Sequence, residues 1–153
     1  MSSKYQNFKS GYYNPLIPSR YKGTFPLIYR SSLELKFFRW CDSSSSPVVE
    51  WTSESYVVPY QSPLDGRIHK YFIDNSIKLK DKNGLDHDFL VEIKPLRMTK
   101  PPTESKKKST TTLLYEKTNW VKNRAKWSAA EQFATKKHMK FIILTEKDLS
   151  KLN

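Results

Sequence analysis

Residues 68–95 read IHKYFIDNSIKLKDKNGLDHDFLVEIKP, and the fold turns on them. Ile68 to Leu79 is rich in Ile, Tyr and Phe, and His87 to Ile93 puts apolar Phe89, Val91 and Ile93 at every second position. Both stretches have the composition or the period of two that marks a strand. Between them, Asp81-Lys82-Asn83-Gly84 is a turn signal, because Asn followed by Gly accepts the positive φ of a tight hairpin. The two strands are therefore expected to lie antiparallel and adjacent. Side chains alternate across a strand, so Glu92 and Lys94 share one face while Ile93 takes the other.

That pairing places chemistry at one end of the hairpin. Magnesium prefers oxygen ligands and keeps several waters, so the carboxylates of Asp74 and Glu92 with a substrate phosphate are enough to hold it. A lysine beside them, Lys94, is suited to orient or deprotonate an attacking water and to offset charge on the phosphorane. Two carboxylates and a lysine in this order point to phosphodiester cleavage.

The remainder of the chain bounds this reading. A length of 153 residues fits one domain with an ordinary core. The formal net charge of +12, from 27 Lys and Arg against 15 Asp and Glu, calls for a polyanionic partner, with nucleic acid the first candidate. Cys41 is the single cysteine and can form no internal disulfide, and the first residues lack the charged and apolar regions of a secretion signal. The longest clear apolar run, Phe141 to Leu144, is far short of the roughly 20 residues of a transmembrane helix. A soluble protein, inside a cell or in an assembly built there, is expected.

Residues 1–28 read as a basic aromatic N-terminal arm preceding a domain at 29–153. The first thirty residues hold Lys4, Lys9, Arg20, Lys22 and Arg30 without one Asp or Glu, and Pro15, Pro18, Gly23 and Pro26 break any long element. Tyr5, Phe8, Tyr12, Tyr13, Tyr21, Phe25 and Tyr29 either pack on the arm's own domain, the commoner use of buried rings, or stack on bases or grip a neighbouring subunit. A helix then begins near Ser31, with Leu33, Phe37, Phe38 and Cys41 at helical spacings. Ser31 and Glu34 have the spacing of a capping box. On spacing alone Glu34 is a cap, and the alternative is a third carboxylate reaching the Asp74 site.

Val48–Trp51 and Tyr56–Val58 are expected as short strands leading through a turn at Pro63–Gly66. Glu50, between Val49 and Trp51, fits the exposed side of a half-buried strand. His69 lies an odd number of residues before Asp74, so in one regular strand it faces away from it.

After Pro95 the chain becomes strongly basic. From Arg97 to Lys126 nine Lys or Arg face only Glu104 and Glu116, a local excess of +7. A solvated charge run is the usual reading of such a stretch. Here it leaves directly from the Glu92 strand, and it is read as a mobile loop and helix face gripping DNA phosphates through Arg97, Lys100, Lys106, Lys107, Lys108, Lys122 and Arg124. A helix from Leu113 to about Lys137 follows, with a break expected near Asn123 and a buried stripe of Trp127, Ala130, Phe133 and Ala134. Trp120 and Trp127 are expected in the core, with Glu131 and Gln132 beside the stripe. Phe141–Thr145 reads as a buried strand, and Glu146–Leu152 as a closing helix capped by Thr145. The order implies an α/β or α+β layer fold, its sheet between helices.

This order and these residues resemble the PD-(D/E)xK nuclease superfamily, a restriction-endonuclease-like core with a mixed β-sheet flanked by helices. Glu34, Asp74, Glu92 and Lys94 match its motif positions, although Ile73 stands where the motif usually has Pro and Asn75 where an apolar residue is common. Within it the chain is similar to the TnsA type, through Tyr29-Arg30-Ser31, His69-Lys70-Tyr71, Glu92-Ile93-Lys94-Pro95 and Thr145-Glu146-Lys147-Asp148-Leu149, and to the head-completion nucleases of T-even bacteriophages. The resemblance implies a magnesium-dependent DNA endonuclease, with manganese as a substitute. Asp74, Glu92 and the Ile93 carbonyl would hold the metal, Lys94 would position water, and Glu34 would be a catalytic residue. It further implies double-stranded DNA and phage head or portal proteins as partners, with action on the packaged genome end in host cytoplasm and virion head. An inactive head or DNA-end binding module and a branched-DNA resolvase are the competing readings.

Overall fold

The computed structural model describes residues 10–152. Lys4, Tyr5, Phe8 and Lys9 of the expected arm lie outside the described residues. From Gly11 the chain forms β1 (Gly11–Tyr12), β2 (Ile28–Tyr29) and helix α1 (Ser32–Cys41). Five strands follow: β3 (Val48–Ser53), β4 (Val57–Gln61), β5 (Ile68–Phe72), β6 (Asn75–Lys80) and β7 (Asp86–Ile93). The long helix α2 (Thr110–Lys136), β8 (Lys140–Leu144) and the short helix α3 (Glu146–Leu149) complete the order.

The expected hairpin is the middle of a four-stranded mixed sheet of order β3-β6-β7-β8, in which β8 alone runs parallel to its neighbour. Its turn is closed by the Gly84 N–H on the Asp81 carbonyl at 3.0 Å, with only Gly84 left-handed at φ 79°. The Asp81 side chain also accepts the Asn83 and Leu85 N–H groups at 2.8 and 2.9 Å, so Asp and Gly carry this turn.

The strand expected from Ile68 to Leu79 is two strands in two sheets. Strands β3 to β6 form one long antiparallel hairpin bent in its middle. Ser53 pairs with Asn75 and Val57 with Phe72, so Glu54, Ser55 and Tyr56 stand opposite only Ile73 and Asp74. This is a β-bulge, tied by the Glu54 N–H on the Asp74 carbonyl at 2.9 Å and the Ile73 N–H on the Tyr56 carbonyl at 3.0 Å. Glu54 takes the left-handed conformation there, at φ 53°. Bulges bend and twist a ladder, and this one turns β4 and β5 into a separate two-stranded sheet.

Alternation then divides the core between the two faces. Trp51, Ile77, Val91 and Ile93 pack with Phe37, Phe38 and Cys41 of α1 and with Leu149 of α3. Leu90 packs with Val58, Tyr60 and Tyr71 of the small sheet and with Ala130 and Ala134 of α2. Helices thus cover both faces of a mixed sheet, as a restriction-endonuclease-like α+β core requires.

Local signals set the helix limits. The Ser31 hydroxyl accepts the Glu34 N–H at 3.1 Å to start α1. Ser109 caps α2 in the same way through Thr112 at 3.1 Å. The break expected near Asn123 does not occur: α2 is continuous over 27 residues, for the stretch holds neither Gly nor Pro, and Asn123 is buried. The closing helix ends at Leu149 rather than Leu152, behind a reciprocal cap between Thr145 and Asp148. Along residues 10–28, Tyr21 and Leu27 join the core beneath Trp51. Asp42 accepts hydrogen bonds from the Tyr13 hydroxyl and from the Leu16 and Ile17 N–H groups at 2.6–2.8 Å.

Candidate active site

The register explains how two carboxylates separated by a turn meet. The ladder of β6 and β7 ends at the pair Asn75–Val91, so Asp74, just before β6, and Glu92 of β7 stand at the next step beyond it. Like charges directly opposite one another destabilise a ladder, which makes this pair costly as architecture. One Asp74 carboxylate oxygen accepts the Ile93 N–H at 2.8 Å, fixing the side chain against β7. Glu92 is 4 % exposed, and its buried Oε1 makes no hydrogen bond of ordinary geometry, although the Tyr71 hydroxyl, likewise unpaired, and the Asp74 carboxyl are near enough to Glu92 for it to raise the pKa of both. Its Oε2 faces the Lys94 ammonium at 3.7 Å and the Trp127 indole N–H at 3.5 Å. Lys94 is itself tied to β8, its N–H donating to the Leu144 carbonyl at 3.0 Å.

Acidity tracks this crowding. Burial first, then the charges of Glu92 and Glu34, hold Asp74 well above the usual carboxylate range, against the pull of the Ile93 N–H. Glu34, in the first turn of α1, is buried, and its carboxyl is pushed up to about 7 by burial and by Glu54, with Glu92 adding to the rise and Arg30 opposing it. Capping through the Glu34 backbone and proximity of its side chain to the acidic pair therefore coexist.

Hard oxygen donors for a cation are present in Asp74, Glu92 and the Ile93 carbonyl. Among the described residues no third His, Cys, Asp or Glu completes a ligand cluster with them. Water and phosphate oxygens would fill the remaining positions, as is usual for magnesium. The unpaired Glu92 oxygen fits such a role, because a buried carboxylate oxygen without a donor is costly unless a cation answers it.

Residues 45–146 match the family described as TnsA-like endonuclease N terminal. The head completion nuclease of Enterobacteria phage T4 is 37% identical over 147 residues, covering 94% of this chain and 95% of that protein. The chain belongs to the TnsA-like endonuclease family. No solved structure matches it. The family span contains Asp74, Glu92 and Lys94, whereas Glu34 lies before it but inside the stretch shared with the phage protein, which covers 94% of this chain.

In this TnsA-like chain several site neighbours escape a reading of the sequence. Lys126 of α2 is half-buried, its ammonium 5.9 Å from the Tyr60 ring centroid and 5.4 Å from that of Tyr71. Burial holds its pKa down, Glu92 and Asp74 pull it up, and Lys122 and Lys94 push it down, so Lys126 lies in the field of the acidic pair. Tyr71, buried on β5, has its hydroxyl raised by burial and then by Glu92. Glu54 sits at the bulge and takes a bidentate pair with Arg30 at 2.8 and 3.2 Å. Glu50 is exposed on β3, and His69 bonds Asp65 at 2.8 Å.

Of the two tryptophans expected in the core, Trp127 packs at the edge of the Leu90, Ala130 and Ala134 cluster, as does Phe133, while Trp120 joins neither cluster among the described residues. Both tryptophans are half-buried and line a cleft of about 540 Å³ beside Glu92, because they lie off the narrow stripe of Asn123, Ala130 and Ala134 that α2 buries. Glu131 lines the same cleft, while Gln132 is exposed elsewhere on the helix. Of the basic residues expected to touch DNA, Arg97, Lys100, Lys106, Lys107 and Arg124 are exposed and Lys122 is partly so. Lys108 is taken up by Glu116 at 2.8 Å and the Thr103 carbonyl at 2.8 Å, which folds the basic loop back on α2.

Proposed function

We propose that this chain is a divalent-cation-dependent endonuclease that cuts double-stranded DNA during phage head completion. The observation that carries the reading is the opposed Asp74–Glu92 pair at the bulge, with Lys94 beside it and one buried Glu92 oxygen unanswered. Membership of an endonuclease family and the likeness to a phage nuclease of nearly equal length support it. Magnesium is the expected ion, with manganese as a substitute.

Asp74, Glu92 and the Ile93 carbonyl would hold the cation, which would supply Lewis acidity and neutralise charge at the phosphodiester. The chain's own groups do the rest. Asp74 and Glu92 would meet the phosphate only through that cation, because bare carboxylates repel it, and Asp74 is held in place by the Ile93 N–H. Lys94, as an ammonium, would orient the attacking water by donating to its oxygen and face the charge on the phosphorane, with the water's proton passing to solvent. Lys126 adds a second positive charge facing the phosphorane. Glu34 and the Arg30–Glu54 pair set the local field. Arg97, Lys100, Lys106, Lys107, Lys122 and Arg124 neutralise backbone phosphates, so binding is salt-sensitive and indifferent to sequence. Among the described residues no helix is long and apolar enough to cross a membrane. The packaged genome end is the expected substrate, with a head or portal protein as docking partner in the host cytoplasm and then the virion.

Cleavage of supercoiled plasmid and linear duplex by purified protein, with magnesium, calcium or chelator, tests this. Cutting with magnesium and none with chelator is expected. DNA binding without cutting under every cation, manganese included and heads added, would leave a head module that grips DNA without hydrolysing it.

A further inference from the structure

The face of α2 beside the acidic pair is built unlike the rest of that helix. Trp120, Arg124, Trp127 and Glu131 recur at spacings of four, three and four, which places them in one row. The two indoles meet edge to face, with centroids 6.2 Å apart at 82°, and the Arg124 guanidinium carbon lies 5.7 Å from the Trp120 ring. Ile143 of β8 also lines the 540 Å³ cleft. Trp127 spans the boundary: its N–H reaches Glu92 at 3.5 Å while its ring lines the cleft.

A half-buried corner of two indoles is sequence-tolerant ground for a planar ring, because every base offers a π-face. An arginine at its rim suits the attached phosphate, and Glu131 offers an acceptor to a base amino group. A paired, stacked base cannot present its face to such a corner. We infer that the Trp120–Trp127 cleft receives one unpaired nucleobase of the DNA strand whose phosphate lies at Asp74 and Glu92.

This rests on the nuclease reading and sharpens its substrate. Taking a base out of the stack costs free energy, least where the base is already unpaired. Frayed ends, overhangs and bulges are then bound and cut in preference to intact duplex.

The test uses the full chain and three duplexes of one sequence, with 2-aminopurine paired, in a short 3′ overhang or in a short 5′ overhang. Binding is followed in calcium by anisotropy and 2-aminopurine fluorescence, and cutting in magnesium. Wild type is expected to quench the unpaired probe and to cut the overhang substrates faster. Trp120→Ala should lose the quenching and reduce the overhang-to-blunt cutting ratio about 5-fold or more, the loss of one base–aromatic stack. Trp120→Phe should restore most of both, which separates stacking from a fold defect. An unquenched overhang under saturating protein, or a preference unchanged in Trp120→Ala, overturns the inference. Magnesium-dependent cutting without quenching removes the cleft and keeps the nuclease, whereas quenching without cutting under any cation does the reverse.

Discussion

The two faces of the central sheet differ in kind. Under α1, Phe37, Phe38, Cys41, Trp51 and Val91 are all at most 1 % exposed, and four of the ten residues of α1 are buried. Under α2 the packing is sparser: only Asn123, Ala130 and Ala134 of its 27 residues are buried. Its flanks instead carry Trp120, Arg124, Lys126 and Trp127 toward Glu92 and the small sheet. One face anchors the bent hairpin, and the other leaves room beside the acidic pair for a substrate. A site that holds like charges together needs a rigid support on its far side, because interactions placed with such precision are lost when the scaffold relaxes.

Substitutions on the two faces should therefore fail differently. Asp74→Ala and Lys94→Ala are expected to lower the single-turnover cleavage rate by about 10²–10³-fold or more, while the circular dichroism spectrum and DNA binding persist. Phe38→Ala should do the opposite, losing about 3–5 kcal/mol in urea unfolding with little change in cutting by the folded fraction. Equal losses of stability and activity from both faces would erase the distinction.

Cation and proton effects sharpen it further. On the proposed reading a cation is held by the folded site and not by the unfolded chain, so saturating calcium at pH 7.5 should raise Tm, by a margin that corresponds to about 2.7 kcal/mol at 100 times Kd. Asp74→Ala should abolish that rise. In chelator the sign of the pH effect follows from Glu34, whose pKa rises from 4.5 to about 7 on folding. Its stabilising contribution is complete below pH 4.5 and is lost as pH rises through about 7, and the raised Asp74 acts in the same sense. Tm should fall between pH 5 and 7.5, and Glu34→Gln should flatten the fall. Asp65 and Asp81 are shifted down and titrate below this window.

The smallest effect belongs to the basic loop. Lys106 and Lys107 are exposed and make no ion pair with Asp or Glu among the described residues. Replacing both with Ala should reduce the slope of log binding constant against log salt by up to about 2, at about 0.9 per phosphate contact.

Legibility in the sequence followed the range of the cause. The β6–β7 hairpin was readable because Asp81 and Gly84 fix the turn and the register then sets Asp74 opposite Glu92. Ser31 and Thr145 announced their helices by local capping, whereas the cap at Ser109 went unread and α2 begins at Thr110 rather than Leu113. The split at Ile73 and Asp74 was hidden, since no Gly or Pro interrupts Ile68–Lys80 and the bulge is imposed by Glu54, nineteen or twenty residues earlier. Lys126 was concealed in a charge run because Tyr60 and Tyr71, which hold it, are distant in the chain. Trp120 and Trp127 have helical spacing, but an apolar side chain that lines a cleft and one that fills a core look alike in a string of letters.

Manganese binding decides whether the opposed carboxylates exist for a cation. The free-ion electron paramagnetic resonance signal is titrated in the presence of a duplex that carries non-hydrolysable linkages, for wild type, Asp74→Ala and Glu92→Gln. Saturable binding by wild type that both variants lose is expected. Binding that is equal in all three proteins, or absent from wild type, would contradict the site described at the bulge.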